Sequence, residues 1–370
     1  MKIVKASFDI IAENIQLFGN EIVMFGAGAI GQVIVPEIIH KYGLIDRIKG
    51  YVDNDCEKWG KQIDIKGKKL DINPPHYLCT CSSKTVIFVN ISRYSEVIEQ
   101  LERMECTEEM MVLIMPMLLI QNFASLESIG TFETGSGVQI PKTLHYMWLG
   151  KREKPELLLK CMSTWKEKCP DYEIVEWNES NYDVSKHIYM KQAYECEAFG
   201  FVPDYARLDI LYNYGGFYLD TDVELLKSLD GMLHQEAFCG VEKWQLLNFG
   251  GCSGSIKGNP MIKKFLDARE NLKFVINGKQ IRNTCGYYDT KVALQCGYRI
   301  NGQTQCIQGM NVLAYDYFHP YDYVSGILNI THNTISIHHF NGGWLDEHMK
   351  QQNQMAQKRY YEVYENATML

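Results

Sequence analysis

Phe201–Glu224 reads FVPDYARLDILYNYGGFYLDTDVE, and the rest of the chain is interpreted outward from it. Pro203 stands where a helix begins, because its missing N–H costs nothing in a first turn. Leu208 and Leu211 recur at helical spacing. Asp204 and Arg207, three residues apart, lie near one another on that helix. Gly215 and Gly216 end it as C-terminal caps do. Phe217-Tyr218-Leu219 then has strand propensity. On an extended strand Asp220 and Asp222 share a face while Thr221 points away. Two carboxylates side by side repel unless a cation neutralises them. Hard oxygen ligands favour Mg²⁺ or Mn²⁺, ions that keep coordination sites for water and substrate phosphates. The spacing therefore predicts a metal that grips a diphosphate. A bare Asp-x-Asp is more often a solvated turn, and the flanking helix and double glycine set this one apart.

The whole segment closely resembles the DXD core of sugar-nucleotide-dependent glycosyltransferases, above all glycosyltransferase family 32. That family includes bacterial capsular-polysaccharide transferases and yeast mannosyltransferases. Two further segments carry the resemblance: Ile140–Gly150 (IPKTLHYMWLG) is similar to the family's first strand and loop, and Ile335–Trp344 (ISIHHFNGGW) to its closing segment. Gly343 stands where serine is common, so any hydroxyl ligand there is lost.

The resemblance implies a GT-A nucleotide-diphospho-sugar transferase fold and a set of roles. His145 and Trp148 line the donor site, with Trp148 stacking on the base. Asp204 and Arg207 hold the donor, and the planar guanidinium suits a phosphate or paired hydroxyls. Tyr218 and Asn248 lie near the donor, and Trp344 covers it. Asp220 touches ribose, sugar or metal-bound water, and Asp222 ligates Mn²⁺ or Mg²⁺ directly, with His339 rather than His338 reaching the metal or diphosphate. Asp220, Asp222 and Arg207 form the implied catalytic set. Family 32 enzymes retain the anomeric configuration, yet no residue here is placed as a nucleophile. A front-side reaction, in which the leaving phosphate helps deprotonate the acceptor, follows by analogy. Asp289 is a further candidate near the acceptor.

At 370 residues the chain is long enough for two domains. Its 46% hydrophobic and 22% charged content is that of a folded globular protein. A net charge of −8 argues against nucleic-acid binding, which needs clustered Lys and Arg. The densest basic run, Lys66, Lys68 and Lys69, reads as a solvated turn. No stretch approaches the roughly 18 apolar residues of a membrane span, and the first twenty residues lack the features of a secretory signal. The twelve cysteines form no Cys-x-x-Cys pairs, which disfavours zinc and a disulfide framework and fits a reducing cytoplasm.

The amino-terminal third is a second module. Glu21–Phe25 is a strand running into Gly26-Ala27-Gly28-Ala29-Ile30-Gly31, and Asp53 lies 22 residues past Gly31 at the end of another strand. That spacing matches the dinucleotide fingerprint, in which glycines admit a pyrophosphate and the acid meets a ribose hydroxyl. With a third strand at Thr85–Asn90 and a helix from Tyr94 to Arg103, the pattern predicts a Rossmann-like parallel sheet. Gly26, Gly28, Gly31 and Asp53 are a possible nucleotide loop; no dehydrogenase acid or base follows, so bound NAD(P) is not expected to be catalytic.

The expected organisation is α/β: a Rossmann-like domain over 1–125, a linker over 126–138 and a GT-A glycosyltransferase domain over 139–370. The expected function is metal-dependent, retaining sugar transfer from a nucleotide-sugar donor to a glycan or lipid-linked saccharide acceptor. It is placed in the cytoplasm, with peripheral association at the inner face of the membrane where the acceptor is lipid-linked. The alternatives are an NAD(P)-dependent sugar-nucleotide oxidoreductase and a non-catalytic sugar-nucleotide-binding protein.

Overall fold

The computed structural model describes residues 1–124, 134, 137, 139–342 and 347–370. Apart from Thr134 and Gly137, the expected linker over 126–138 lies outside the described residues. The chain divides into two units. The first comprises Met1–Leu126, Tyr323–Gly326 and Asp346–Leu370, and the second Glu127–Asp322 and Ile327–Leu345.

In the first unit Glu21–Phe25 pairs in parallel with Thr85–Val89 on one side and Ile48–Val52 on the other. All three strands are almost wholly buried, as continuous Val- and Ile-rich runs in parallel sheets are. Met111–Ile114 and Lys2–Lys5 extend the sheet one way, and the hairpin Gln62–Ile65/Lys68–Asn73 closes it the other way. The basic run sits at that hairpin, whose two linking residues, Lys66 and Gly67, both have positive φ, as the tightest hairpin loops require.

The second domain does not run to residue 370 as expected. The helix Glu347–Asn366 and strand Thr368–Met369 belong to the amino-terminal unit, not to a domain running from 139 to 370. Val4 and Lys5 pair with Thr368 and Met369, covering a sheet edge that would otherwise present unpaired backbone groups. The Tyr94 hydroxyl donates to the Ala356 carbonyl at 2.9 Å, and Arg359 pairs with Glu99 at 2.8 Å. No periodicity in the polar helix announces this return. A second correction concerns the cysteines. Cys79 and Cys106 form a disulfide with Cα atoms 5.1 Å apart, because two short helical turns, Pro75–Thr80 and Glu105–Thr107, bring them together.

The second unit is built on a mixed sheet in the order Gln305–Ile307, Met310–Leu313, Ala237–Val241, Ser253–Ser255, Gly216–Tyr218, Thr143–Met147, Glu173–Trp177. Gly216–Tyr218 runs parallel to Thr143–Met147, which runs parallel to Glu173–Trp177. The carboxyl ends of these strands carry Asp220, Trp148 and Asn178, where α/β sheets place their ligands. The helix Glu156–Lys168 secures the next segment. Trp165, fully buried, donates its indole N–H to the Val223 carbonyl at 2.7 Å, and Thr164 Oγ1 accepts from the Leu225 amide at 2.9 Å. Among the described residues no helix is long and apolar enough to cross a membrane.

Candidate active site

The helix Pro203–Tyr214 begins on proline and ends on Gly215, whose φ of 71° is closed to most side chains. A Cβ on Gly215 would lie 2.8 Å from the Lys257 amide nitrogen, and one on Gly216 2.6 Å from the Thr143 carbonyl oxygen. The double glycine thus lets the chain drop from helix to strand between two neighbours. His145 locks the break. Trp177 donates its indole N–H to His145 Nδ1 at 3.2 Å, so Nε2 carries the proton and donates to the Gly215 carbonyl at 3.0 Å. Burial pushes the imidazole pKa down to about 4, keeping it neutral. With both ring nitrogens engaged inside the fold, His145 holds the backbone in place of the expected contact with a donor.

The paired carboxylates sit on a turn, not on the extended strand expected. Gly216–Tyr218 ends before Asp220, and the Val223 amide donates back to the Asp220 carbonyl at 3.1 Å, closing a four-residue turn before the strand Val223–Leu225. Strand alternation therefore does not govern their directions, and each carboxylate finds its own cation. Arg207, buried, donates to Asp220 Oδ1 at 3.2 Å and lies 3.6 Å from Asp204. Its Nε donates to the Pro203 carbonyl at 3.0 Å, and its guanidinium lies 5.5 Å from the Tyr218 ring centre. Tyr218 is itself fully buried, so it supports Arg207 from below and presents no face to a donor.

Asp222 meets a different partner. Its Oδ1 lies 3.3 Å from His338 Nε2, and its Oδ2 accepts the Asn341 amide at 2.8 Å. Burial alone pushes the Asp222 carboxyl up, but the His338 charge and these hydrogen bonds outweigh it and hold the pKa at about 2. Burial likewise favours neutral His338, and Asp222 outweighs it, so the His338 pKa is raised.

This reverses the expected choice of histidine. The strand Ser336–His338 lies antiparallel to Val223–Leu225 with His338 opposite Val223, and His339 falls past its end. His339 instead sits 2.9 Å from Glu224 Oε2. The anticipated set of Asp220, Asp222 and His339 is therefore not gathered, and among the described residues no group of three or more His, Cys, Asp or Glu side chains is placed to hold a metal. Asp220 and Asp222 still suit Mg²⁺ or Mn²⁺, ions often bound through one or two carboxylates plus substrate phosphates. Asp222 is ionised, and the Asp220 side chain is 25% exposed.

Around this turn the remaining candidates separate. Trp148 is partly exposed, with its indole N–H bonded to the Arg152 carbonyl at 2.8 Å and Lys154 Nζ over its ring at 5.3 Å from the ring centre. Trp344 lies outside the described residues. Asn248 is committed at both ends. Its Nδ2 donates to Glu242 Oε1 at 2.8 Å, and its Oδ1 accepts the Gly250 amide at 2.7 Å and the Gly251 amide at 3.2 Å. Asp289 is buried against Arg269 at 2.6 Å and has no acceptor-facing surface. In the same interior, Asp204 accepts from Tyr189 at 3.3 Å, and burial raises its pKa to about 7 against the pull of Arg207 and Arg269.

Two contributors carried no signal in the sequence: Glu242, one residue past a strand, and Gly250. The Gly250 carbonyl accepts the Asp220 amide at 2.8 Å, and a Cβ on Gly250 would fall 2.0 Å from Asp220 Oδ2 and 2.9 Å from an Arg207 terminal nitrogen. The colliding atom is the end of a side chain, so Gly250→Ala is expected to displace the Asp220 carboxylate rather than the backbone. Thermal unfolding is expected to stay close to wild type while turnover falls on the order of 10²-fold, the usual cost of about 1 Å of misplacement. Wild-type turnover in Gly250→Ala would show that this close approach is immaterial.

In the first unit the glycine-rich loop is braced by its own acid. Asp53 accepts the Ala27 amide at 2.8 Å, the Asp55 amide at 2.9 Å and Lys58 Nζ at 3.0 Å. A Cβ on Gly31 would lie 2.2 Å from the Gly26 carbonyl oxygen, whereas one on Gly28 would meet nothing. Gly26 and Gly31 are thus explained by close packing, and Asp53 by bracing the turn.

Residues 155–239 match the family described as glycosyltransferase sugar-binding region containing DXD motif. The chain is 32% identical over 103 residues to inositol phosphoceramide mannosyltransferase 3 of Schizosaccharomyces pombe, covering 27% of this chain and 29% of that protein. It is 25% identical over 169 residues to subversion of eukaryotic traffic protein A of Legionella pneumophila, covering 37% of this chain and 26% of that one. It thus spans under a third of either relative. Among solved structures, PaToxG glycosyltransferase aligns over 43% of this chain and 70% of its own, at 18% identity and a TM-score of 0.35.

Proposed function

We propose that this family 32-like protein is a metal-dependent, retaining glycosyltransferase that moves a sugar from a nucleotide diphosphate to a glycan or lipid-linked saccharide. The observation that carries the reading is the Asp220–Asp222 turn at the carboxyl ends of parallel strands, with Arg207 beneath it and Trp148 on the adjoining strand end. Asp222 and Asp220 would hold Mn²⁺ or Mg²⁺, which supplies Lewis-acid stabilisation of the departing diphosphate. Arg207 fixes the direction of the Asp220 carboxylate. His338 and the Asn341 amide keep Asp222 ionised and oriented. Trp148 would stack on the base. The mannosyltransferase relative favours a hexose donor, and action at the cytoplasmic face of a membrane suits a lipid-linked acceptor.

A panel of UDP- and GDP-sugars tests this. One donor is expected to release nucleoside diphosphate with Mn²⁺ or Mg²⁺, and EDTA is expected to abolish release. Binding without release from any donor would identify a sugar-nucleotide-binding protein, and full activity in EDTA would sink the metal. Titration with NAD(H) and NADP(H) tests the amino-terminal loop, where the braced Asp53 leads us to expect no binding.

A further inference from the structure

Glu242 stands at the carboxyl end of the strand Ala237–Val241, in a turn closed by the Gln245 amide on the Glu242 carbonyl at 2.8 Å. The chain returns antiparallel with Gly240 opposite Asn248. Asn248 joins Glu242 to the site already described: its Nδ2 holds Glu242 Oε1 and its Oδ1 holds the Gly250 amide. Gly250 in turn lies against the Asp220 carboxylate. Glu242 is therefore one bridging side chain away from the DXD turn.

The carboxylates of Asp220, Asp222 and Glu242 have different commitments. Asp220 is held by Arg207, and Asp222 by His338 and the Asn341 amide. Glu242 has only the Asn248 amide on one oxygen; among the described residues nothing bonds the other, and no Lys or Arg pairs with it. The charged and titratable groups around it are His338, which favours its ionised form, Asp322, which opposes it, and Cys285. Glu242 is half-buried, and that burial is the largest influence, pushing the carboxyl up to about 7. A proton acceptor works best with a pKa near the working pH.

Resting on the glycosyltransferase reading, we propose that Glu242 is the catalytic residue that takes the proton from the acceptor hydroxyl. As the acceptor oxygen bonds to C1 of the sugar, the bond from C1 to the diphosphate oxygen breaks. Its electron pair leaves on the nucleoside diphosphate. The hydroxyl proton passes to the Glu242 carboxylate and then to solvent. This assigns to the protein the deprotonation that a front-side reaction would leave to the phosphate. Asn248 is the positioning residue, holding one carboxylate oxygen and leaving the other without a protein partner among the described residues.

Steady-state transfer by full-length wild type and E242Q from pH 5 to 9, with a responsive donor and acceptor, tests the assignment. The expected result is a kcat lower by about 10²–10³-fold with donor KM changed less than about 2-fold. The wild-type rise in kcat/KM through about pH 7 is expected to vanish in E242Q. If E242Q does not fold, E242D is read instead: it keeps the carboxyl, so partial activity with the pH limb retained is expected, and its loss overturns the proposal. E242Q turnover near wild type, or a raised donor KM at unchanged kcat, overturns this assignment while the glycosyltransferase reading stands. No diphosphate release by wild type from any donor overturns both.

Discussion

Asp222→Asn is expected to lower nucleoside-diphosphate release by about 10²–10³-fold while the protein remains folded. The amide keeps the size of the carboxylate and its acceptor for the Asn341 N–H, so the turn survives. What is lost is the anionic oxygen that a hard divalent ion requires, in a role where charge stabilisation contributes several kcal/mol to the transition state. The measurement is single-turnover release at saturating Mn²⁺, with circular dichroism to check the fold. A rate within a few-fold of wild type would remove Asp222 from the metal site.

The same substitution has a signature in acid. The Asp222 pKa is held at about 2, below its unfolded value of roughly 3.9. A depressed carboxyl contributes stability that is complete above the unfolded value and disappears as pH falls through the folded one. The raised pKa of His338 has the opposite sign, contributing below roughly pH 6.5 and fading as pH climbs through its folded value. The pair is therefore strongest in mildly acidic solution, and Asp222→Asn is expected to flatten both edges of that window. An unchanged stability profile between pH 2 and 8 would show that the pair is not formed in solution.

Arg207→Ala is expected to cost the second unit about 3–5 kcal/mol, because it leaves Asp204 and Asp220 without the buried charge that faces them. Asp204 already sits at about 7 because burial outweighs its arginines. Without Arg207 it is expected to stay protonated well above neutrality. Arg207→Lys is not a rescue, because one ammonium cannot reproduce the fork that serves Asp220, Asp204 and the Pro203 carbonyl together. Urea unfolding of the three proteins reads this directly, and a loss below about 1 kcal/mol in Arg207→Ala would mean that the network is not stabilising.

Much of the site was legible because it is local. Pro203, the Asp204/Arg207 pair and the glycine break lie within a few residues of one another, where covalent geometry and helix spacing dictate contacts. The parallel sheet of the first unit was equally plain, since strands buried on both faces must be continuous apolar runs. The errors lie where partners are distant in the chain. Reading Asp220 and Asp222 as strand residues assumed that nothing would bend the backbone, and the bend is stabilised through Gly250. His339 was favoured over His338 by motif position, whereas a register set across 115 residues chose His338.

The sequence alone determined which chemical groups reach the strand ends: two carboxylates, an arginine three residues after an aspartate, and an indole. It did so because turn and cap signals act over a handful of positions. Only the tertiary structure decided how each group is charged and occupied. Arg207 and His338 divide the carboxylates between them, Asn248 joins Glu242 to the glycine that abuts Asp220, and Asp53 braces its own loop. Such assignments follow from burial and from hydrogen bonds between remote segments, and no spacing within one stretch of chain encodes them.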